Sequence, residues 1–214
     1  MKKVLLCLNG DNIPKKRLMQ VIQKTDCIIA ADGGANYLHR YNIIPDILIG
    51  DMDSVEKDVF RKAQQNGVKI ITYPAKKNET DSELAIQYAV DQGADEIFFV
   101  GFIGDRFDHV MANIGYISSL LTKINIKIIH NNEDIYFVSK KIVIHGKKND
   151  EVSLLPFHAD AKGVVTTGLQ YEPSHETLHF ASTRGISNVM EKPSASIQLK
   201  KGILMVVHRH GGRF

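Results

Sequence analysis

The sequence predicts two domains: an α/β N-terminal domain with a mostly parallel sheet over residues 1–131, and an all-β sandwich C-terminal domain over residues 132–214. Three observations carry this. Through the first ~130 residues, short apolar runs alternate with amphipathic segments, the pattern of βα units around a parallel sheet. From Asn131 the chain becomes many short alternating segments divided by Gly, Pro, Asn and Asp, as strand-and-turn chemistry requires. Four polar clusters follow directly after apolar runs of the first part, where open α/β sheets bind ligands outside the carboxyl ends of their strands.

Taken in order, the apolar runs at 4–8, 27–31, 47–50, 68–72, 96–100 and 126–130 are the strands of the first domain. The segments between them, 14–24, 35–41, 55–65, 80–92 and 107–122, have helical periodicity. Thr80 and Glu83 have capping-box spacing, and Gly93 supplies a stop. In the second domain strands are expected at 135–138, 141–144, 151–155, 163–167, 177–180, 194–199 and 203–209.

Composition narrows the class. At 214 residues with 43% hydrophobic residues, the chain can bury one large core or two modest ones. The formal charge is only +3, and the basic pairs such as Lys15-Lys16 and Lys147-Lys148 are scattered instead of forming a stripe, which argues against a nucleic-acid binder. Cys7 and Cys27 lie inside apolar runs without C-x-x-C spacing and read as buried free thiols. Residues 1–8 are too short for a signal-peptide core and no later stretch is long enough to span a membrane, so a cytoplasmic location is expected.

The strongest chemical signal is Asp51-Met52-Asp53, directly after an apolar run. If the chain stays extended, i, i+2 spacing points both carboxylates one way and Met52 the other. Adjacent carboxylates repel one another and invite a divalent cation, and Mg²⁺ takes one or two carboxylates together with substrate phosphate oxygens. Asp53 or Ser54 as the N-cap of a helix starting at Val55 is the plainer reading. Asp81, in the first turn of a helix, suits the positive end of its dipole and can also complete the metal set from the same sheet edge.

Asp32-Gly33-Gly34-Ala35-Asn36 joins a strand to a helix, and its paired glycines allow either a tight turn or close approach of a phosphate. No G-x-x-x-x-G-K-[ST] loop is present. In 101–109, Arg106 suits bidentate phosphate recognition, while Asp108 can orient Arg106, cap the helix or touch substrate. For His109 a structural hydrogen bond is the expected role; Lys76 and Lys77, in the loop before Asp81, are either phosphate-steering groups or, the favoured reading, exposed loop lysines.

These motifs together resemble the thiamine pyrophosphokinase family. The resemblance rests on Ala31-Asp32-Gly33-Gly34-Ala35-Asn36, on 45–54, on Thr80-Asp81-Ser82-Glu83, and on Gly104-Asp105-Arg106-Phe107-Asp108-His109 with Asn113 beyond. It extends to Gly168-Leu169-Gln170-Tyr171 and to Ser182 through Asn188, although the family's commonest residue at the aromatic position is Trp, which this chain lacks entirely. The resemblance implies an ATP-binding α/β domain, a thiamine-binding β-sandwich and a homodimer with thiamine in a cleft between subunits. It further implies Asp51, Asp53 and Asp81 as Mg²⁺ ligands and Arg106 and Asp108 as active-site residues. Asp32, Gly33, Gly34 and Asn36, again with Arg106, would serve the nucleotide, and Tyr171, Ser187 and Asn188 would serve thiamine.

The activity so implied is transfer of the pyrophosphoryl group of ATP to the thiamine hydroxyl, giving thiamine diphosphate and AMP. A site with clustered carboxylates, an Arg and no nucleophile dyad fits a reaction that depends on alignment and charge neutralisation. The alternatives are a pyrophosphokinase for another small alcohol, such as a hydroxymethylpterin, and a non-catalytic nucleotide or thiamine sensor.

Overall fold

A computed structural model describes residues 1–211 of the chain, which divides into two units, Met1–Asn131 and a second beginning at Asn132. In the first unit the order is β1 (Lys3–Cys7), α1 (Lys15–Ile22), β2 (Cys27–Ala31), α2 (Gly34–Arg40), β3 (Ile47–Gly50), α3 (Lys57–Gln65), β4 (Lys69–Thr72), α4 (Asp81–Asp91), β5 (Glu96–Val100), α5 (Phe107–Ser118) and β6 (Asn125–His130). Within this unit the strands lie in the order β6-β5-β1-β2-β3-β4, all parallel. A parallel sheet is covered on both faces, which is why β1, β3 and β5 read as near-continuous apolar runs. One core gathers Leu5 and Cys7 of β1 with Leu18 of α1, Leu38 of α2 and Val59 of α3. On the helix α4, packed against β1 to β3, Ala85, Ile86 and Ala89 are buried.

All six expected strands and five expected helices of this unit are present, with ends shifted by a few residues. The start of α3 departs from expectation. Neither Asp53 nor Ser54 caps it; the helix begins at Lys57 with Glu56 at the N-cap and no side-chain cap bond. By contrast, Thr80 caps α4 and accepts from the Glu83 backbone N–H at 3.1 Å. Cys7 is buried, but Cys27 is only half-buried, because β2 begins there at the sheet's rim.

The second unit contains β7 (Glu133–Val138), β8 (Lys141–His145), β9 (Glu151–Pro156), β10 (Ala161–Thr167), β11 (Ser174–Leu178), β12 (Asn188–Val189), β13 (Ser194–Gln198) and β14 (Leu204–Arg209). They form two antiparallel layers, β12-β9-β14-β7 and β11-β10-β13-β8. Their inward residues share one core, with Val152, Leu154, Leu204 and Val206 from one layer and Ile144, Val164, Ala195 and Ile197 from the other. The alternating burial of β10, β13 and β14 is the period-2 signature of a sandwich. Two details differ from the sequence reading. The strand expected at 177–180 runs instead over Ser174–Leu178, and β12 is a two-residue strand with no periodicity of its own. Among the described residues no helix is long and apolar enough to cross a membrane.

Candidate active site

The carboxyl ends of the parallel strands surround a polar cavity of about 460 Å³ in the first unit, lined by Asp32, Asp51, Asp53, Lys77, Asp81 and Arg106 among others. Asp32 follows β2, Asp51 and Asp53 follow β3, Lys77 and Asp81 follow β4, and Arg106 follows β5. Four polypeptide loops therefore converge because their strands run parallel in one sheet, β5 being joined to β2, β3 and β4 through β1.

Backbone strain shapes the acidic edge. Asp32 has φ 44° and Met52 has φ 69°, both in the left-handed region that costs a side-chain-bearing residue roughly 1–2 kcal/mol. The stretch after β3 is thus a bend and not the extended strand that i, i+2 spacing assumes. Met52 still packs against the core, while Asp51 and Asp53 remain together; the Asp53 N–H donates to Asp51 Oδ1 at 3.1 Å. Gly50, with φ +147°, is required at this point. A Cβ there would stand 3.0 Å from the Asp32 Cβ and 3.2 Å from the Asp81 Cγ, so the missing side chain lets these two acids close in.

Asp32, Asp51 and Asp53 each offer a carboxylate oxygen within 4.8 Å of the others. Asp81 joins them through a lysine: Lys77 Nζ lies 3.0 Å from Asp81 Oδ1 and 3.6 Å from Asp51 Oδ2, with only 12% of its side chain exposed. The contact to Asp81 is an ion pair without hydrogen-bond alignment, so among the described residues the buried Oδ1 has no directional donor. Burial works against the Lys77 charge, but the close contact and negative charge of Asp81, followed by those of Asp51, outweigh it and hold the ammonium above the ordinary lysine range. Burial pushes the Asp32 carboxyl up, against donors from Ser54 and Gly33, and the charge of Asp81 adds to the rise.

Arg106 binds Asp108 bidentately, Nε to Oδ1 at 2.9 Å and Nη2 to Oδ2 at 2.6 Å. The guanidinium beside it holds the Asp108 carboxyl well below the usual carboxylate range. Both side chains are exposed; Arg106 and His109 reach the cavity, whereas Asp108 stands behind Arg106, outside the lining.

Three residues expected at the nucleotide have other contacts here. Asn36 is turned to the following loop, donating to the Ser54 carbonyl at 2.8 Å and accepting from the Glu56 N–H at 3.0 Å. Gly33 and Gly34 pack against the exit of β1, where a Cβ would come within 2.5 Å of the Asn9 side chain and 2.2 Å of the Cys7 carbonyl. Their φ values are not what demands glycine; the close approach does.

In the second unit a cavity of about 510 Å³ is lined by Tyr171, Asn188, Glu172, Glu176, Arg184 and an apolar floor including Leu154 and Leu178. Tyr171 is 67% exposed. Buried Asn188 fixes its backbone, accepting from the Tyr171 N–H at 3.0 Å and donating to the Tyr171 carbonyl at 2.6 Å. Ser187, with φ 56°, is anchored by its N–H to Ser153 Oγ at 3.0 Å and is not among the lining residues.

Sequence reasoning favoured an exposed loop lysine at Lys77, which is instead nearly buried between Asp51 and Asp81, and it passed over Asn9 and the acidic wall of the second cavity. Asn9 had a usable signal, since it follows β1 as the other clusters follow their strands. Lys77 had none beyond its place four residues before Asp81.

Carboxylates, a lysine and an arginine gathered at the carboxyl edge of a parallel sheet lie where open α/β proteins bind their ligands, which makes this an α/β protein with a charged ligand crevice. The chain is a member of the thiamin pyrophosphokinase family. The family's catalytic-domain model matches residues 18–130, and its vitamin B1 binding domain model matches residues 140–204. A thiamine pyrophosphokinase of Bacillus subtilis is 29% identical over 182 residues, spanning 84% of this chain and 85% of the relative. A crystal structure of thiamine pyrophosphokinase from Bacillus subtilis superposes with a TM-score of 0.84 at 26% identity, over 98% of this chain and all of the other (100%). Thiamin pyrophosphokinase from Candida albicans, at 22% identity, shares the fold with a TM-score of 0.81 over 97% of this chain and 89% of that one.

Proposed function

We propose that this chain is a thiamine pyrophosphokinase, transferring the pyrophosphoryl group of ATP to the thiamine hydroxyl and releasing AMP. The observation that carries the reading is the convergence of Asp32, Asp51, Asp53 and Asp81 with Lys77 and Arg106 around one cavity. Such a set handles polyphosphate charge and holds no nucleophile dyad, as expected of a direct transfer between oxygens.

Asp51, Asp53 and Asp81 would hold a divalent cation, with Asp32 beside them. The donors are all carboxylate oxygens, and Asp81 Oδ1 is buried without a directional donor, which suits a hard cation and Mg²⁺ in particular. Bound there, the cation supplies positive charge to polyphosphate oxygens. Lys77 is the ammonium that shields Asp51 and Asp81 from each other and can turn to an arriving phosphate. Arg106, oriented by Asp108, presents a planar donor fork at the rim. Asp108 stays ionised because of that pairing, which makes it a weak proton acceptor and a positioning residue for Arg106.

The second cavity has the character thiamine requires. Tyr171 offers a ring face to a cationic heterocycle, and Glu172 and Glu176 line the same wall. Glu176 is paired with Arg184, and Glu172 accepts from the Gly168 N–H at 2.5 Å, so both carboxylates are held in place. The reading includes the homodimer that the family resemblance implies, to be checked by sedimentation velocity of the purified chain.

The deciding experiment incubates the protein with ATP, Mg²⁺ and thiamine, or with a hydroxymethylpterin. Stoichiometric AMP and thiamine diphosphate are expected with thiamine only. ADP with thiamine monophosphate, or turnover of the pterin alone, would replace the reading; no AMP from folded protein would remove it.

A further inference from the structure

A second group of metal-binding side chains lies in the β-sandwich unit, made of residues that the pyrophosphokinase reading does not use. His208 on β14 and His210 just beyond its end are two residues apart, so both rings fall on one face, with centroids 4.2 Å apart. Asp150, directly before β9, faces them: Oδ2 is 3.0 Å from His208 Nε2 and 3.8 Å from His210 Nδ1. All three residues offer a ligand atom within 4.8 Å of one another. We infer that Asp150, His208 and His210 form a Zn²⁺ site, three protein ligands leaving a fourth position for water.

Four features support it. Zinc bonds of about 2.0–2.1 Å to His nitrogen and carboxylate oxygen place tetrahedral ligand atoms about 3.4 Å apart, and the separations of 3.0 and 3.8 Å straddle that value. Asp150 is preset by backbone donors, the Lys147 N–H on Oδ2 and the Gly211 N–H on Oδ1, each at 2.9 Å. His210 turns its other nitrogen, Nε2, to Asp134 Oδ2 at 3.2 Å, and Asp134 also accepts from the Tyr136 hydroxyl at 3.2 Å. That is the carboxylate–imidazole arrangement which orients a metal-binding histidine. Finally, a Cβ on Gly146 would lie 2.6 Å from Asp150 Oδ2 and 2.7 Å from His208 Nε2, so only glycine at this position lets these two groups pack together against the end of β8.

Two imidazoles and one carboxylate favour zinc over magnesium, which takes oxygen ligands. His210 is the accessible member, 38% exposed, while His208 is fully covered.

The test uses the whole chain, stripped with EDTA and returned to saturating Mg²⁺ so that the acidic cavity is occupied. One equivalent of Zn²⁺ should bind by calorimetry, and Co²⁺ in its place should give the intense visible bands of a four-coordinate site. His210→Ala should weaken Zn²⁺ binding more than tenfold and abolish those bands, and Asp134→Asn should weaken it by about tenfold. In EDTA, His210→Ala should unfold at the wild-type temperature, with Zn²⁺ raising the Tm of wild type alone. Equal Zn²⁺ affinity in wild type and His210→Ala, no uptake in Mg²⁺, or uptake lost in Asp53→Asn but kept in His210→Ala would each overturn the site. So would a His210→Ala Tm loss that is the same with and without Zn²⁺, which marks a purely structural hydrogen bond.

Discussion

The two cavities hold their ligand groups in different ways. In the α/β unit the functional side chains are charged and their positions follow from backbone turns at strand ends, including the left-handed Asp32 and Met52. In the sandwich unit the cavity combines an exposed tyrosine ring with carboxylates that are already paired, on an apolar floor of inward strand residues. The first is built to manage charge, and the second to accept shape and a modest positive charge. The lesson is that loss of one group should cost far more in the first, where like charges depend on one another, than in the second, where contacts are nearly independent.

The largest expected effect tests that dependence. Asp53→Asn should lower kcat by roughly a hundredfold to a thousandfold at ordinary Mg²⁺, the scale seen when one preorganised electrostatic group is removed. Urea unfolding should remain cooperative with an unchanged midpoint, since Asp53 is exposed. Near-wild-type turnover would take Asp53 out of the site and break the contrast.

Next is Lys77→Gln. Removing the ammonium leaves Asp51 and Asp81 facing each other without a counter-charge, so kcat/KM for ATP should fall by about ten- to a hundredfold, the worth of about 1.4–2.7 kcal/mol. The variant's Tm in EDTA should also drop and recover more with Mg²⁺ than wild type does. A loss of activity with no change in that recovery would place Lys77 on the substrate alone.

In the sandwich unit, Tyr171→Ala should raise the KM for thiamine by about fivefold to tenfold, on the scale of a ring–cation contact of about 1–1.4 kcal/mol, and leave that for ATP within about twofold. Equal effects on both would move the ring out of the thiamine cavity. Asn188→Ala strips two hydrogen bonds from the Tyr171 backbone and should destabilise the chain by about 1–3 kcal/mol in chemical unfolding, with a smaller rise in thiamine KM. The smallest change is expected from Asp108→Ala. Its pair with Arg106 is exposed, so stability should move by less than about 0.5 kcal/mol, and the effect should appear as a weaker ATP KM from a less ordered Arg106.

The same division governs what could be read in advance. The strands at 27–31, 47–50 and 96–100 were legible to the residue because a buried parallel strand is apolar throughout, and Thr80 announced α4 by its capping spacing. The strand expected at 177–180 moved to Ser174–Leu178 because pairing with β10 recruits the polar Ser174-His175-Glu176, which no hydrophobic pattern marks. β12 exists only because Asn188 and Val189 meet Val152 and Glu151. Asn36 was expected at the nucleotide through the family resemblance; its bonds to the Ser54 carbonyl and the Glu56 N–H, eighteen and twenty positions away, are contacts that no spacing marks.

The order of apolar and polar runs determined by itself the two-part architecture and the placing of acids at strand exits, since periodicity and turn chemistry act over a few residues. Only the tertiary structure decided which polar atoms meet: Lys77 between Asp51 and Asp81, Gly34 against the Cys7 carbonyl, His210 beside Asp150. Those contacts join positions from four to more than fifty residues apart, and Coulomb attraction and close packing act on distance in space, to which spacing along the chain is blind.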